Sequence, residues 1–373
     1  MTRRGFLTKT LSYAVKAALL GLAPVGPYLS ARPAYGSSEN TYVKTPPYDL
    51  HELVKRKVHH TENGFLNPFS SQTYGNPFRL LRWKLFSPNP FKSYYSQERV
   101  APVSVDSKSL RNPEGLSVTF LKHASVLIQD KGTVLLIDPV FHSPFWFITD
   151  FTPFAFDPRE LPGPDHVLIT HGHFDHLDVD SLRDLPSDTH VISPLGYDYV
   201  FDGLPMKHRS KLDWFESYSD RERKITLLPC SHWTMRNPFM GPNRSLWGSF
   251  LIQTAAGPTI FVSGDAAYFH GYKELSREFH ADLAIFNLGA YEPRWFMASS
   301  HMNPAEVVQS FVELNASRLL AVHWGTFRLG DEPVYFPPME IRREMREKGL
   351  EDRLIHLDHG HSIFLNRDGS LKG

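Results

Sequence analysis

The sequence predicts a layered α/β fold with two sheets. Three observations point there. Short apolar and β-branched runs follow one another at hairpin spacing from residue 116 onward. Strand and helix patterns alternate in the second half of the chain. Hydrophobic residues make up 41% of 373, which supplies a full core for one large two-layer domain or two ordinary ones.

Residues 1–36 read as an address. Thr2-Arg3-Arg4-Gly5-Phe6-Leu7 has the form of a twin-arginine export signal, followed by a moderately apolar stretch from Leu11 to Leu29. Lys16, Pro24 and Pro27 interrupt that stretch, so it makes a poor spanning helix, and Ala34-Tyr35-Gly36 offers small residues for cleavage. The expectation is export to the periplasm or cell envelope, with an uncleaved signal as a membrane anchor the alternative. Residues 37–115 are rich in Pro, Asn and aromatic residues with weak periodicity, and read as an irregular extension that packs on the main domain or fronts its active site. Phe65, Phe69, Phe78, Leu80, Leu81, Trp83, Leu85 and Phe86, beside Arg79, Arg82 and Lys84, make this segment a candidate for peripheral membrane contact.

The domain proper spans 116–373. Strands are predicted at 116–121, 124–129 and 133–138, with Lys131-Gly132 turning the second hairpin. Further strands are predicted at 166–170, 191–193, 224–229, 245–253, 259–263, 283–287, 319–323 and 354–357. The clearest helix is 304–314. Asn303 can cap it, Pro304 suits its first position, and Glu306 sits where a capping box needs it. A last helix runs from Phe336-Pro337-Pro338 to Lys348.

Bulk composition excludes some partners. Lys+Arg and Asp+Glu are both 40. Five basic and no acidic residues fall in 1–36, so the remainder carries 35 basic against 40 acidic residues. That mildly acidic balance argues against a nucleic-acid partner. The single cysteine, Cys230, excludes an internal disulfide and reads as a small core residue.

The chemistry concentrates at the end of one strand. Val167-Leu168-Ile169-Thr170 runs into His171-Gly172-His173-Phe174-Asp175-His176. His171 and His173 are two apart, so in extended backbone both imidazoles leave on one face and can chelate one ion. Gly172 is expected to let the backbone turn between them. Asp175 and His176 follow the turn and point to a neighbouring position. Imidazole with carboxylate suits zinc, and also iron or manganese. His232, Asp265 and His323 each lie just beyond another apolar strand, as does Asp138.

This HxHxDH run with its distant partners resembles the metallo-β-lactamase superfamily. The resemblance implies an αββα sandwich: two mixed β-sheets packed face to face with helices outside. It implies two metal ions, expected to be zinc. His171, His173 and His232 would hold the first, Asp175, His176 and His323 the second, and Asp265 would bridge them. Asp138 would orient a ligand or the nucleophile. Within the superfamily, Leu288-Gly289-Ala290-Tyr291-Glu292-Pro293-Arg294-Trp295-Phe296-Met297 and His323-Trp324-Gly325-Thr326-Phe327-Arg328-Leu329 with Asp331-Glu332-Pro333 are similar to blocks of the N-acyl-phosphatidylethanolamine-hydrolysing phospholipase D family. That likeness covers about residues 63–365. It implies cleavage of a phospholipid to phosphatidic acid and an N-acylethanolamine, with Asp175, Asp138 and His301 in catalytic roles. Tyr291, Arg294 and His301 would meet substrate, and a homodimer is implied. The chain departs from the family at Asp265-Ala266-Ala267-Tyr268, at Asn287-Leu288 and at Phe174, which puts the pocket's shape in question. A lactonase or a soluble or cyclic phosphodiesterase would need the same ligands. A non-catalytic metal-binding protein is the reading from another class, disfavoured because the ligand set is complete.

Overall fold

The computed structural model describes residues 42–372, apart from positions 73, 75, 107–109, 111–114 and 221. The expected export signal lies outside the described residues. A short helix, α1 (Leu50–Lys55), and a two-stranded hairpin, β1 (His60–Thr61) with β2 (Gly64–Phe65), begin the chain. The segment read as irregular then contains a ten-residue helix, α2 (Pro77–Phe86). Asn76 caps it through Phe78 N and Pro77 starts it, a boundary signal that the weak periodicity of the segment obscured.

Two seven-stranded sheets follow. One holds β3 (Leu116–Lys122), β4 (Ser125–Asp130), β5 (Thr133–Ile137), β6 (His166–Leu168), β7 (His190–Pro194), β8 (His208–Leu212) and β16 (Ser362–Leu365), in the order β16-β3-β4-β5-β6-β7-β8. The other holds β9 (Ser217–Ser219), β10 (Lys224–Leu228), β11 (Ser249–Gln253), β12 (Thr259–Val262), β13 (Leu283–Asn287), β14 (Arg318–Val322) and β15 (Leu354–Ile355), in the order β15-β14-β13-β12-β11-β10-β9. Both are mixed. Pairing is antiparallel through β16-β3-β4-β5 and β9-β10-β11-β12, and parallel from β5 to β8 and from β12 to β15.

The side-chain period of two sorts the first sheet's apolar residues onto two faces. Val118, Val126, Ile128, Leu135 and Ile137 join Ile225, Phe250, Ile260 and Ile285 of the second sheet in one core. Leu121, Leu127, Leu136 and Val167 face the opposite way, against Leu182 and Phe201 from helices α3 (Val179–Arg183) and α4 (Asp198–Phe201). Tyr272 of α5 (Gly271–Leu275) packs on Phe261 and Phe286 of the second sheet. The result is the expected αββα sandwich.

Every predicted strand is present. The run 245–253 is the one that differs most, because only 249–253 joins the sheet. Leu246 N and Gly248 N donate instead to Leu195 O and Thr170 O, tying this segment to the first sheet. Strands β1, β2, β8, β9 and β16 escaped prediction; β8 (His208–Leu212) carries His, Arg, Ser and Lys at an edge where no apolar alternation is needed. Lys131 and Gly132 both take positive φ, as a tight hairpin turn requires. After the four-residue α6 (Arg294–Met297), helix α7 (Pro304–Leu314) has the predicted bounds, with Asn303 and Glu306 making the capping box. Helix α8 (Phe336–Glu347) ends at Lys348.

Candidate metal centre

The chemistry-bearing residues sit at the carboxyl ends of strands from both sheets. Asp138 follows β5, His171 follows β6, His232 follows β10, Asp265 follows β12 and His323 follows β14. Because the sheets face each other, these ends converge on one spot. The histidine-rich loop leaves β6 with His171 buried. Gly172 does not take a positive φ, so the turn is not what demands glycine. A Cβ there would stand 2.6 Å from the Tyr197 ring and 3.0 Å from Thr234 Oγ1, and this close approach is the physical reason.

Three ring nitrogens converge in a first cluster. His171 Nε2 and His173 Nδ1 are 2.9 Å apart, and His232 Nε2 is 3.3 Å from His173 Nδ1. The far side of two of these rings is tied down. His171 Nδ1 is 3.0 Å from Thr170 Oγ1, whose hydroxyl donates to Asp138. His232 Nδ1 donates to Ser300 O at 3.0 Å. Those tethers fix Nδ1–H tautomers and leave the Nε2 lone pairs facing one another. Facing lone pairs in a buried site call for a cation.

A second cluster adjoins it. His176 Nε2 lies 3.2 Å from His323 Nε2, 3.1 Å from Asp265 Oδ2 and 3.7 Å from Asp175 Oδ2. His323 Nε2 lies 3.3 Å from Asp265 Oδ1 and 3.6 Å from Asp175 Oδ2. Asp265 Oδ2 is also 3.8 Å from His171 Nε2, so this one carboxylate reaches both clusters. His176 Nδ1 donates to Asp138 Oδ2 at 2.7 Å, and Thr170 N donates to Asp138 Oδ1 at 2.7 Å. Asp138 is fully buried and acts through His176 and Thr170, so its place is that of a positioning residue and not of a group that meets substrate.

The electrostatics agree with a cation site. Burial pushes His173 down to about 4 and His171 and His232 well below the ordinary imidazole value, so these rings are neutral ligands at neutral pH. Burial would raise Asp175 and Asp265, but the surrounding imidazoles outweigh it and hold both well below the usual carboxylate range. His176 is the exception. Burial lowers it, yet the Asp265 and Asp175 carboxylates raise it well above its usual value.

Of the residues expected to meet substrate, the structure brings one to the centre. His301 lines the adjoining cavity, with its ring 5.6 Å from that of His232 and 6.1 Å from that of His323. Tyr291 and Arg294 are corrected. Tyr291 is fully buried in the core and its hydroxyl donates to Glu340. Arg294 donates to Tyr291 O and His301 O and pairs with Glu306 at 2.7 Å. Its guanidinium holds the His301 loop in place and is not spent on a phosphate. Cys230 is buried in the core as expected.

Two participants were missed. His123, in the turn between β3 and β4, lies 3.1 Å from Asp175 Oδ2. Asn287 donates its side-chain amide to Asp265 Oδ1 at 2.9 Å, so the departure at 287–288 bears on a ligand and not on the pocket wall. Both are polar residues at strand ends, the signal that found the others. Four groupings of described residues could each hold an ion: His171, His173, His232 and Asp265; His123, Asp175, His176 and His323; an overlapping set of Asp138, His171 and His176; and a separate trio of His59, His60 and Asp213.

The cavity beside the centre has a volume of about 1650 Å³. Trp83, Leu80, Phe147, Phe174, Trp233 and Phe296 are among its walls, and His173 and His301 stand at its inner end. Helix α2 of the N-terminal extension forms one side, anchored by Trp83 Nε1 donating to Asp331 Oδ2 at 2.9 Å.

Fold and site together define a metal-dependent hydrolase of the metallo-β-lactamase fold. The model of the beta-lactamase superfamily domain matches residues 133–324, more than half of the chain, and the chain belongs to that superfamily. More particularly, it is similar to N-acyl-phosphatidylethanolamine-hydrolyzing phospholipase D 1 of Caenorhabditis elegans, 27% identical over 329 residues covering 79% of this chain and 91% of that protein. It is 32% identical over 206 residues to the mitochondrial enzyme of that name from Saccharomyces cerevisiae, covering 52% of this chain and 43% of the relative. Among solved structures, a possible metal-dependent hydrolase from Veillonella parvula aligns with a TM-score of 0.56 at 20% identity, over 67% of this chain and 99% of that one, which speaks to the fold.

Proposed function

We propose that this protein is a phosphodiesterase of phospholipase D type, cleaving N-acyl phosphatidylethanolamine to N-acylethanolamine and phosphatidic acid. The observation that carries the reading is the large, mostly apolar cavity that reaches the centre at His173 and His301. Its volume exceeds the roughly 300–1,000 Å³ of ordinary small-molecule sites, as a substrate with acyl chains needs. The names borne by the relatives point to the same substrate.

The donor set fits two divalent ions. His171, His173 and His232 would hold one, Asp175, His176 and His323 the other, with Asp265 shared; zinc suits these ligands, as do iron and manganese. When bound, such ions lower the pKa of a water and neutralise charge on phosphoryl oxygens. The chain's own residues do the rest. Asp138 and Thr170 fix His171 and His176 in the tautomers that present Nε2. Arg294 and Glu306 hold the loop that carries His301. Burial keeps His301 neutral, down to about 4, so its role is to hydrogen-bond a phosphoryl oxygen more than to stand ready as an acid. Apolar walls exclude water from the acyl chains.

The cavity's surroundings support docking on a bilayer. Trp146 is 74% exposed and Phe239 84%, Phe78, Leu85 and Phe86 of α2 are exposed too, and Leu85 and Phe239 line the cavity. Phe69 and Trp83, expected to touch lipid, are buried, and Phe65, Leu80 and Leu81 are half-buried, so the contact moves from the core of the extension to these exposed side chains. No helix among the described residues is long and apolar enough to cross a membrane. Export through the twin-arginine signal at residues 2–7 would place the enzyme at the envelope. The test is turnover of N-acyl phosphatidylethanolamine in mixed micelles by the metal-loaded protein, with His171→Ala as control. Both products from the wild type and neither from the variant support the reading. Two bound metals with no turnover leave the centre intact and turn attention to soluble phosphodiesters and lactones.

A further inference from the structure

His123 stands against the second cluster, close enough to Asp175, His176 and His323 to share an ion with them, yet it is not among the ligands expected from the sequence. It occupies the tight turn between β3 and β4 with φ 49°, a conformation that non-glycine residues rarely adopt. Its backbone is fixed from both sides. His123 N donates to Thr326 Oγ1 at 2.8 Å, and His323 N donates to His123 O at 2.7 Å. The ring is fully buried, 4.0 Å by centroid from that of His323 and edge-on to Phe327 at 4.9 Å. Nε2 lies 3.1 Å from Asp175 Oδ2, and Nδ1 is buried with no partner.

We infer that His123 is a positioning residue for Asp175, holding its carboxylate in the orientation in which it binds the second ion. The inference rests on the two-ion reading of the centre. The hydrogen-bond inventory favours a donor over an additional ligand. An ionised carboxylate only accepts, so Nε2 carries the proton and the neutral ring leaves a bare lone pair on Nδ1. The opposite tautomer would set a lone pair against the Asp175 oxygen and bury an unpaired N–H, the costlier orphan. A ring that donates from Nε2 cannot ligate through it. The strained turn, the Thr326 and His323 anchors and the packing on Phe327 all serve to deliver that one N–H to Asp175.

The experiment uses purified holoprotein and measures zinc equivalents and affinity by metal analysis after equilibrium dialysis, with a cobalt(II)-substituted sample read by its d–d spectrum. His123→Leu removes the donor at similar bulk. His123→Gln puts an amide N–H near the place of Nε2. The expected result is a 10–100-fold loss of affinity for one of two equivalents in H123L, the loss typical of an outer hydrogen-bond partner of a metal ligand. H123Q should recover most of it, with the cobalt spectrum unchanged. If H123L does not fold, His123→Asn, whose amide overlies Nδ1 and leaves no donor at the place of Nε2, is the control against H123Q. Affinity in H123L or H123N within twofold of wild type overturns the inference. So does H123Q as deficient as the donor-less variant with a cobalt spectrum that has lost an imidazole, because that result makes His123 a ligand. A wild type that binds fewer than two equivalents overturns the two-ion reading itself, and this inference with it.

Discussion

Asp138 shows how much of the centre depends on residues that never meet substrate. It accepts hydrogen bonds from Thr170 N, Thr170 Oγ1 and His176 Nδ1, and it is wholly buried. Asp138→Asn should therefore keep the fold yet weaken binding of the second ion by about 10–100-fold, read by metal analysis, because the amide presents a donor where an acceptor is required. Gly289 makes a steric counterpart. A Cβ there would stand 2.4 Å from His323 O and 3.0 Å from His323 Nδ1. Gly289→Ala is expected to displace His323 and to lower turnover while leaving the first cluster occupied. At this scale the sequence was informative about ligand types and poor about partners. His171, His173, Asp175, His176, His232, Asp265 and His323 stood out because each is a polar ligand type just past an apolar strand. Asn287 and His123 obey the same rule but lack the clustered spacing that drew the eye to 171–176. The commitment of Arg294 to backbone carbonyls and of Tyr291 to Glu340 is invisible in one dimension, since each depends on a partner brought in by folding.

Among elements, α7 was legible to the residue because capping chemistry is local. Asn303→Ala should cost about 1 kcal/mol by denaturant unfolding. Glu306 does more than cap. It also pairs with Arg294, which holds the His301 carbonyl, so Glu306→Ala should lower turnover as well as stability. The hairpin β1–β2 is held to the domain by a long-range device instead. Asp213 accepts from Lys57, from His59 at 2.7 Å and from His60 at 2.8 Å. Burial would raise its carboxyl, but the hydrogen bonds from His59 and Lys57 outweigh burial and hold it well below the usual carboxylate range. Its folded value lies under the unfolded one of about 3.9, so its contribution is complete above roughly pH 5 and is lost as pH falls below that. Asp213→Asn is expected to destabilise by about 2 kcal/mol at pH 7, with the difference shrinking toward zero as the medium is acidified. Strands β8 and β9 were hidden for a reason of the same kind. At a sheet edge the backbone ladder suffices, and the side chains need not alternate.

For the molecule as a whole, the two-sheet sandwich could be read from strand spacing, but the role of the extension could not. Residues 42–106 reach the centre's surroundings through scattered contacts: Asn67 to Ser231, Tyr74 to the Ser299 carbonyl, Trp83 to Asp331. None leaves a periodic trace. The consequence is a cavity walled partly by α2, with exposed Trp146 and Phe239 outside the core. A Trp146→Ser, Phe239→Ser double variant should turn over lipid in vesicles severalfold more slowly, with little change on a short-chain soluble analogue, if these side chains contact the bilayer. The proposed hydrolysis would place an oxygen from water on phosphorus and release the N-acylethanolamine with its own hydroxyl oxygen. The most direct measurement is turnover of N-acyl phosphatidylethanolamine in heavy-oxygen water, with both products analysed by mass spectrometry. The account predicts one heavy oxygen in the phosphatidic acid and none in the N-acylethanolamine. Label in a released fatty acid, or in the N-acylethanolamine, would contradict it.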